Sequence, residues 1–287
     1  MTPSITIVTH AGAPDGVSDD HLLAEAIMEA GGDVRYAAWT DASVDWSASA
    51  VTVVRSTWDY HLHPAAWFRW LERAAPLTSL TNAPDLIRWN SEKTYLLDLA
   101  SRGVPVVPTV LLREASDLLV TCGDRGWTDI VVKPSIGASS FSARRFRGAE
   151  IASEGVEHTR KLTLSGKALL QPYQPTIENA RERSLVYIDG IFCHAFSKPG
   201  FYNGLSETEL PRHLPSQNEF MLAEGVLAVL PVSPVIARID LVPADGGPLL
   251  MEAELIEPLL ALRLCHATSQ SLAQSLVRLT GHGCRSV

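Results

Sequence analysis

Short apolar runs and helix-spaced apolar faces alternate along the first third of the chain. "SITIVTH" is a continuous apolar run and predicts a buried strand. "SDDHLLAEAIMEAGG" follows with helical spacing, Ser18 as its N-cap and a glycine stop. "DVRYAAW" predicts a second strand, "AVTVVRSTWDY" holds a third, and "PAAWFRWLERAA" is a helix with Pro64 in its first turn. Such βαβ alternation predicts an α/β lobe built on a parallel sheet, whose ligands collect beyond the carboxyl ends of the strands. "RSTWDYHLH" lies at one such end. No GxGxxG follows the first strand, which argues against a dinucleotide site and a dehydrogenase.

From Asn82 the pattern changes. "NSEKTYLLDLAS" is helical and carries Lys93, "RGVP" breaks it, and a short strand follows. "WTDIVVKPSIGASSFSARRF" reads as strand, small-residue loop and strand, and "KALLQPYQP" as a strand running into a proline-flanked connector. "RERSLVYIDGIFCHAFSKP" predicts a hairpin turning at Asp189-Gly190, and "VIARIDLVPADGGPLLMEAELIEP" a second one about "PADGGP". "ATSQSLAQSLVRLTGHG" is an amphipathic closing helix.

Composition narrows the class. The 287 residues are 46% apolar and 20% charged, a globular profile. A net charge of −8 disfavours a nonspecific grip on nucleic acid. No run is long enough to span a membrane, and "MTPSITIVTH" lacks the features of a secretory signal, so a cytoplasmic protein is expected. Cys122, Cys193, Cys265 and Cys284 are dispersed and form no CxxC, which supports reduced thiols rather than zinc or disulfides. Only five of the 24 basic residues are lysines, so a lysine inside a structured motif asks for a reason.

The second hairpin carries the strongest chemical signal. Centred on Gly246, it sets Asp240 opposite Glu252, and strand alternation puts Arg238, Asp240, Glu252 and Glu254 on one face. Opposed like charges repel. One arginine leaves that face two negative charges in excess, which a dication with hard oxygen ligands such as Mg²⁺ would neutralise. The alternative is an Arg238–Glu254 ion pair with the other carboxylates at a wet edge. Glu257 has the opposite parity and is expected off this face, with Pro258 ending the strand. Mg²⁺ held by few carboxylates shares its shell with phosphates. Lys133 precedes "PSIGASS", where Gly137, Ala138, Ser139 and Ser140 leave backbone N–H groups open to an anion, although a solvated hairpin would look the same. The loop is not a Walker A motif. Lys93 read alone is a surface lysine, and His61 and His63 lack a third metal ligand.

In this order, "NSEKTYLLDLASRGVPVVPT", "VVKPSIGASSFSARRF", "LLQPYQPTIENARERSLVYIDG" and "RIDLVPADGGPLLMEAELIEP" resemble the ATP-grasp superfamily, nearest its glutathione-synthetase-like branch. The resemblance implies an N-terminal α/β lobe over 1–84, a central lid lobe over 85–168 and a C-terminal lobe with an antiparallel sheet over 169–287. It implies that Lys93 and Lys133 contact ATP phosphates beneath a mobile loop of Gly137 to Ser140. Gln171 and Tyr173 match the adenine connector, and Glu178 a ribose partner. Asp240, Glu252 and Glu254 match the Mg²⁺ ligands, with Glu254 standing where many relatives have Asn. Arg183, Arg238 and Lys198 match groups suited to a phosphate or an acyl-phosphate. Arg55, Asp59 and His194 are candidate substrate contacts, although His194 and Lys198 could equally form a solvated strand face.

The chemistry the resemblance implies is activation of a small amino-acid carboxylate as an acyl-phosphate, attacked by an amine-type nitrogen, with ATP and Mg²⁺ as cofactors. The "STWDY" segment resembles a subgroup that includes a ring-closing ligase of cycloserine biosynthesis, in which the nucleophile belongs to the same molecule, while "PGFYNG" stands where many of these relatives have a basic and acidic motif and is read as a specialised, small substrate pocket. An intermolecular amino-acid or dipeptide ligase is the runner-up, and a nucleotide-binding module without chemistry the alternative from another class. No nucleic-acid or membrane partner is expected. The sequence leaves the oligomeric state open, a homodimer included.

Overall fold

The computed structural model describes residues 2–138, 140–198 and 210–281. Ser139, Cys284 and the "PGFYNG" segment lie outside the described residues. Three four-stranded sheets succeed one another along the chain. The first holds β1 (Ser4–Thr9), β2 (Asp33–Ala38), β3 (Val51–Val54) and β4 (Ser79–Thr81) in the order β2-β1-β3-β4. All its pairings are parallel, as the βαβ pattern requires. The sequence reading missed β4, whose three residues are too few to show a period. Helix α1 (Ser18–Glu29) begins one residue earlier than a Ser18 cap would allow. Val17 occupies the N-cap, and the Asp20 carboxylate accepts its N–H at 3.1 Å. Helix α2 (Pro64–Ala74) buries Trp67, Trp70, Leu71 and Ala74 at helical spacing, and Trp39 and Trp46 meet the two tryptophans edge-on.

Helices α3 (Pro84–Asn90) and α4 (Tyr95–Ser101) lead into a middle sheet of β5 (Val110–Leu112), β6 (Asp129–Pro134), β7 (Arg144–Arg147) and β8 (Ala168–Pro172). Its order is β5-β8-β6-β7, antiparallel throughout. Helices α5 (Ser116–Arg125) and α6 (Glu154–Ser165) cover one face around Leu118, Cys122, Ile130, Val132 and Phe146. Strand β8 straddles the expected boundary at 168, and all of it pairs in this middle sheet.

After the short helix α7 (Thr176–Ala180), β9 (Glu182–Ile188), β10 (Ile191–Lys198), β11 (Ile236–Val242) and β12 (Leu249–Glu254) form an antiparallel sheet ordered β10-β9-β11-β12. Asp189 and Gly190 both have positive φ (51° and 76°), the backbone a two-residue hairpin turn needs. The odd-numbered side chains of β9 and β11, including Leu185, Tyr187, Ile239 and Leu241, pack on α4 and α8 (Gln217–Ala228). The even-numbered face is divided. Val186, Ile188 and Ile236 join a core with α1 and α9 (His266–Thr280), while Glu182, Ser184, Arg238 and Asp240 continue the same face as a polar wall. Among the described residues, no helix is long and apolar enough to cross a membrane.

Candidate active site

That polar wall bounds a cavity of about 360 Å³ between the middle and C-terminal sheets. Lys133 of β6, the loop residues Gly137, Ala138 and Ser140, the connector Gln171 and Tyr173, and Glu252 and Glu254 of β12 all line it. Lys93, Lys198, Arg238, Trp58 and Tyr60 complete the lining used here. Three sheets and the turn before α4 thus converge on one space, within the size range of small-molecule sites. Lys93 sits in the turn between α3 and α4 rather than on the helix the sequence predicts. Its backbone N–H donates to Ser135 O at 2.7 Å, docking that turn on the strand that carries Lys133.

Glu252 bridges the two lysines. Lys93 Nζ donates to Oε2 and Lys133 Nζ to Oε1, each at 2.8 Å. Burial alone would raise the Glu252 pKa, but the adjacent lysines hold it well below the usual carboxylate range. Burial likewise works against the Lys93 ammonium, yet Glu252 and Glu254 keep its pKa above the ordinary value.

The hairpin register matches the sequence reading, with Asp240 opposite Glu252 and Arg238 opposite Glu254. Arg238 clamps Asp240 through Nε to Oδ1 and Nη2 to Oδ2, both at 2.9 Å, and reaches Glu254 at 3.4 Å. Lys198 donates to Asp240 Oδ2 at 2.7 Å and lies 2.9 Å from Glu182 Oε1, and the Ser184 hydroxyl donates to Asp240 Oδ1 at 2.6 Å. Burial opposes the Asp240 charge, but Arg238 and Lys198 overcome it and bring the pKa down to about 2. Burial and Arg238 also oppose the Lys198 charge, and Asp240 and Glu182 outweigh them, raising its pKa to about 12.

This arrangement corrects the proposed trio of metal ligands. Among the described residues no group of three acidic, His or Cys side chains could hold a metal ion. Asp240 is fully buried and spends its oxygens on Arg238, Lys198 and Ser184. Nor does the carboxylate face carry the two-charge excess expected from one arginine, because three lysines from elsewhere in the chain share it. The remaining pair still fits Mg²⁺ chemically. Glu252 and Glu254 present hard oxygens to the cavity, and Mg²⁺ characteristically takes one or two carboxylates with phosphates and water completing its shell.

Other expected contacts are committed elsewhere. Arg183 Nη1 donates to Glu219 Oε1 on α8 at 2.6 Å. Glu178 accepts from Arg145 at 2.9 Å and from the Tyr173 hydroxyl at 3.1 Å, while the Arg145 guanidinium lies 3.2 Å from the centre of the Tyr173 ring. His194 shares the face of Lys198, but lies farther back along β10, where its ring bonds Thr268 and the Leu260 carbonyl. Asp59 accepts the Trp39 indole N–H at 2.7 Å. None of these four lines the cavity, and neither does Arg55.

Arg55 instead explains a residue that strand parity misplaced. Glu257 lines the cavity, contrary to expectation, because β12 ends at Glu254 and alternation stops with it. The N-terminal lobe holds the chain beyond. Trp58 Nε1 donates to Glu257 O at 3.3 Å and Arg55 Nη1 to Pro258 O at 2.9 Å. The Asp19 carboxylate accepts from Leu260 N at 2.8 Å and Leu262 N at 2.7 Å. Glu182 was missed for a different reason. The β9–β10 register slips between Phe192 and His194, which alone sets Glu182 opposite Lys198.

Comparison with known proteins agrees with this architecture. Residues 5–82 match the family model for the N-terminal domain of D-cycloserine synthetase DcsG. The cycloserine biosynthesis protein DcsG of Streptomyces lavendulae is 31% identical over 273 residues, covering 88% of this chain and 91% of the relative. The crystal structure of D-cycloserine synthetase DcsG superposes with a TM-score of 0.90 at 29% identity, covering 96% of this chain and 99% of that one. A RimK domain ATP-grasp protein from Sphaerobacter thermophilus shares the fold at a TM-score of 0.72 and 15% identity, covering 96% and 98%. D-alanine–D-alanine ligase from Bacillus anthracis shares it at 0.67 and 14%, covering 97% of each chain. With its three sheets, its lysine-lined cavity and this kinship, the chain has the ATP-grasp fold and belongs to the DcsG family.

Proposed function

We propose that this ligase uses ATP and Mg²⁺ to activate the carboxylate of O-ureido-D-serine as an acyl-phosphate, that the oxygen-bound nitrogen of the same molecule attacks it and expels phosphate to close the ring, and that water then removes the carbamoyl group from that nitrogen as carbon dioxide and ammonia to give D-cycloserine. The observation that carries the reading is the Lys93–Glu252–Lys133 bridge inside the cavity. Two ammonium groups meet there on one carboxylate, so a triphosphate can take over both lysines as Glu252 turns to a dication. Glu252 and Glu254 would hold Mg²⁺, which supplies charge neutralisation at phosphate oxygens. Lys93 and Lys133 steady the transferring phosphoryl group, and the loop of Gly137, Ala138 and Ser140 in the cavity lining would close over it and keep water from the activated carboxyl. Arg238, fixed by Asp240, presents a guanidinium whose charge persists through the reaction. Gln171 and Tyr173 suit the base of the nucleotide, since both line the cavity, one near the end of β8 and the other just after it. The names of the DcsG relatives support the choice of substrate.

The test is phosphate release from ATP with O-ureido-D-serine as sole organic substrate, with D-cycloserine followed by mass spectrometry. Release with ring formation is expected. Release that requires a second amine would replace ring closure by an intermolecular ligase, and no carboxylate-dependent release would overturn the reading.

A further inference from the structure

Among the described residues, the cavity's charges do not all find partners. Of its cations, Lys93 and Lys133 meet Glu252, Lys198 meets Glu182 and Asp240, and Arg238 meets Asp240 and Glu254. Glu257 lines the same cavity, is 5% exposed, and makes no ion pair with any described residue. Its own main chain is pinned by Trp58 and, one residue on, by Arg55, so the carboxyl cannot leave the cavity by a small shift of the backbone. A buried carboxylate without a cation is costly unless it is neutralised by protonation or by a ligand. Trp58 and Tyr60 share the lining beside it. A carboxylate next to aromatic rings is the chemistry that receives an ammonium group.

We infer that Glu257 is the recognition group for the α-ammonium of the amino-acid substrate, placed in the cavity by the N-terminal lobe. The inference rests on the amino-acid-ligase reading above and names the substrate feature that the site selects. In the empty protein no described cation pairs with Glu257, and a ligand ammonium supplies that counter-charge on binding. In this arrangement Arg55 is a positioning residue, acting through the main chain at Pro258 and through Asp19, which holds the Leu260 and Leu262 N–H groups.

The experiment is a protein–ligand cycle. Steady-state kinetics are measured for wild type and Glu257→Gln with O-ureido-D-serine and with its analogue lacking the α-amino group, varying the organic substrate, ATP and Mg²⁺ in turn. Glu257→Gln is expected to raise the KM for the amino-bearing substrate about tenfold or more, to leave the KM for ATP and the Mg²⁺ dependence unchanged, and to leave the analogue's weak kinetics unchanged. Arg55→Lys should show the same selective KM effect in weaker form. Equal losses with both substrates would overturn the inference, and so would a change confined to kcat. A shifted Mg²⁺ requirement would assign Glu257 to a metal and overturn it too. A wild type inert towards all amino-acid carboxylates would overturn both this inference and the ligase reading, whereas an active wild type without coupling would overturn this inference alone.

Discussion

Glu252→Gln tests the central electrostatic arrangement most directly. The wild-type carboxylate holds both lysines proposed to bind phosphate at 2.8 Å, so without metal it should compete with an incoming triphosphate and repel it. Two unit charges about 4 Å apart at an effective dielectric near 20 interact by about 4 kcal/mol. The Glu252 side chain is 18% exposed, so salt and water reach it, and about half of that repulsion is a fair working value. About 2 kcal/mol corresponds to a roughly 30-fold change in affinity. In buffer with a chelator, Glu252→Gln should therefore bind a non-hydrolysable ATP analogue about 10- to 30-fold tighter than wild type. With Mg²⁺ the order should reverse or vanish, because the neutral amide no longer holds the dication. Calorimetric titration of both proteins, with and without Mg²⁺, reads the two effects as one number, the factor by which metal enhances binding. That factor should fall by at least tenfold in the variant. The same enhancement in both proteins would refute the assignment of Glu252 to metal, whatever the variant does to turnover.

Three further outcomes follow from the geometry. Asn82→Ala removes a buried side chain that donates to Ile236 O and Leu255 O (2.7 and 2.8 Å) and accepts from Val235 N and Ile236 N (2.7 and 3.0 Å). Chemical denaturation should register a loss of about 2–4 kcal/mol, and a loss below about 1 kcal/mol would show that Asn82 does not stitch the lobes together. Glu182 and Glu257 have pKa values raised from 4.5 to about 7 and about 8, so the folded state binds their protons more tightly than the unfolded chain. Their stabilisation is complete below the unfolded value and is lost as pH rises through the folded values, so the empty protein should weaken between about pH 4.5 and 8. Thermal melts of Glu182→Gln/Glu257→Gln should be flatter over that window, and an unchanged slope would contradict the assignment. Asp240→Asn should remove a charge that binds Arg238 and Lys198 above the ordinary carboxylate pKa and is released only as pH falls through about 2, so the variant should be less stable than wild type at neutral pH and nearly equal to it near pH 2.

Much of this site was written locally. Periodicity marked β1 to β3 and the two hairpins, because strands and helices imprint different spacings on the apolar residues. Asp189-Gly190 and "PADGGP" announced their turns because few residues tolerate the backbone such turns need. From the second turn, parity alone paired Asp240 with Glu252 and Arg238 with Glu254. The order of the motifs carried the lysines, the small-residue loop and the connector, and these line one cavity.

Tertiary structure decided what each charge does. Parity places Asp240 on the cavity's face, but only the arrival of Lys198 from β10 and the bend of Arg238 toward it consume its oxygens. A bulge in β10, silent in the residue pattern, sets Glu182 against that same lysine. Arg55 reads as a ligand group at a strand end until the segment after β12 packs on it and takes its guanidinium. That packing carries Glu257 into the cavity after the strand's alternation has ended. Local sequence sets which face a side chain takes while an element lasts. Whether a charged group there stays free for a ligand depends on partners distant in the chain, and these appear only when the lobes close on one another.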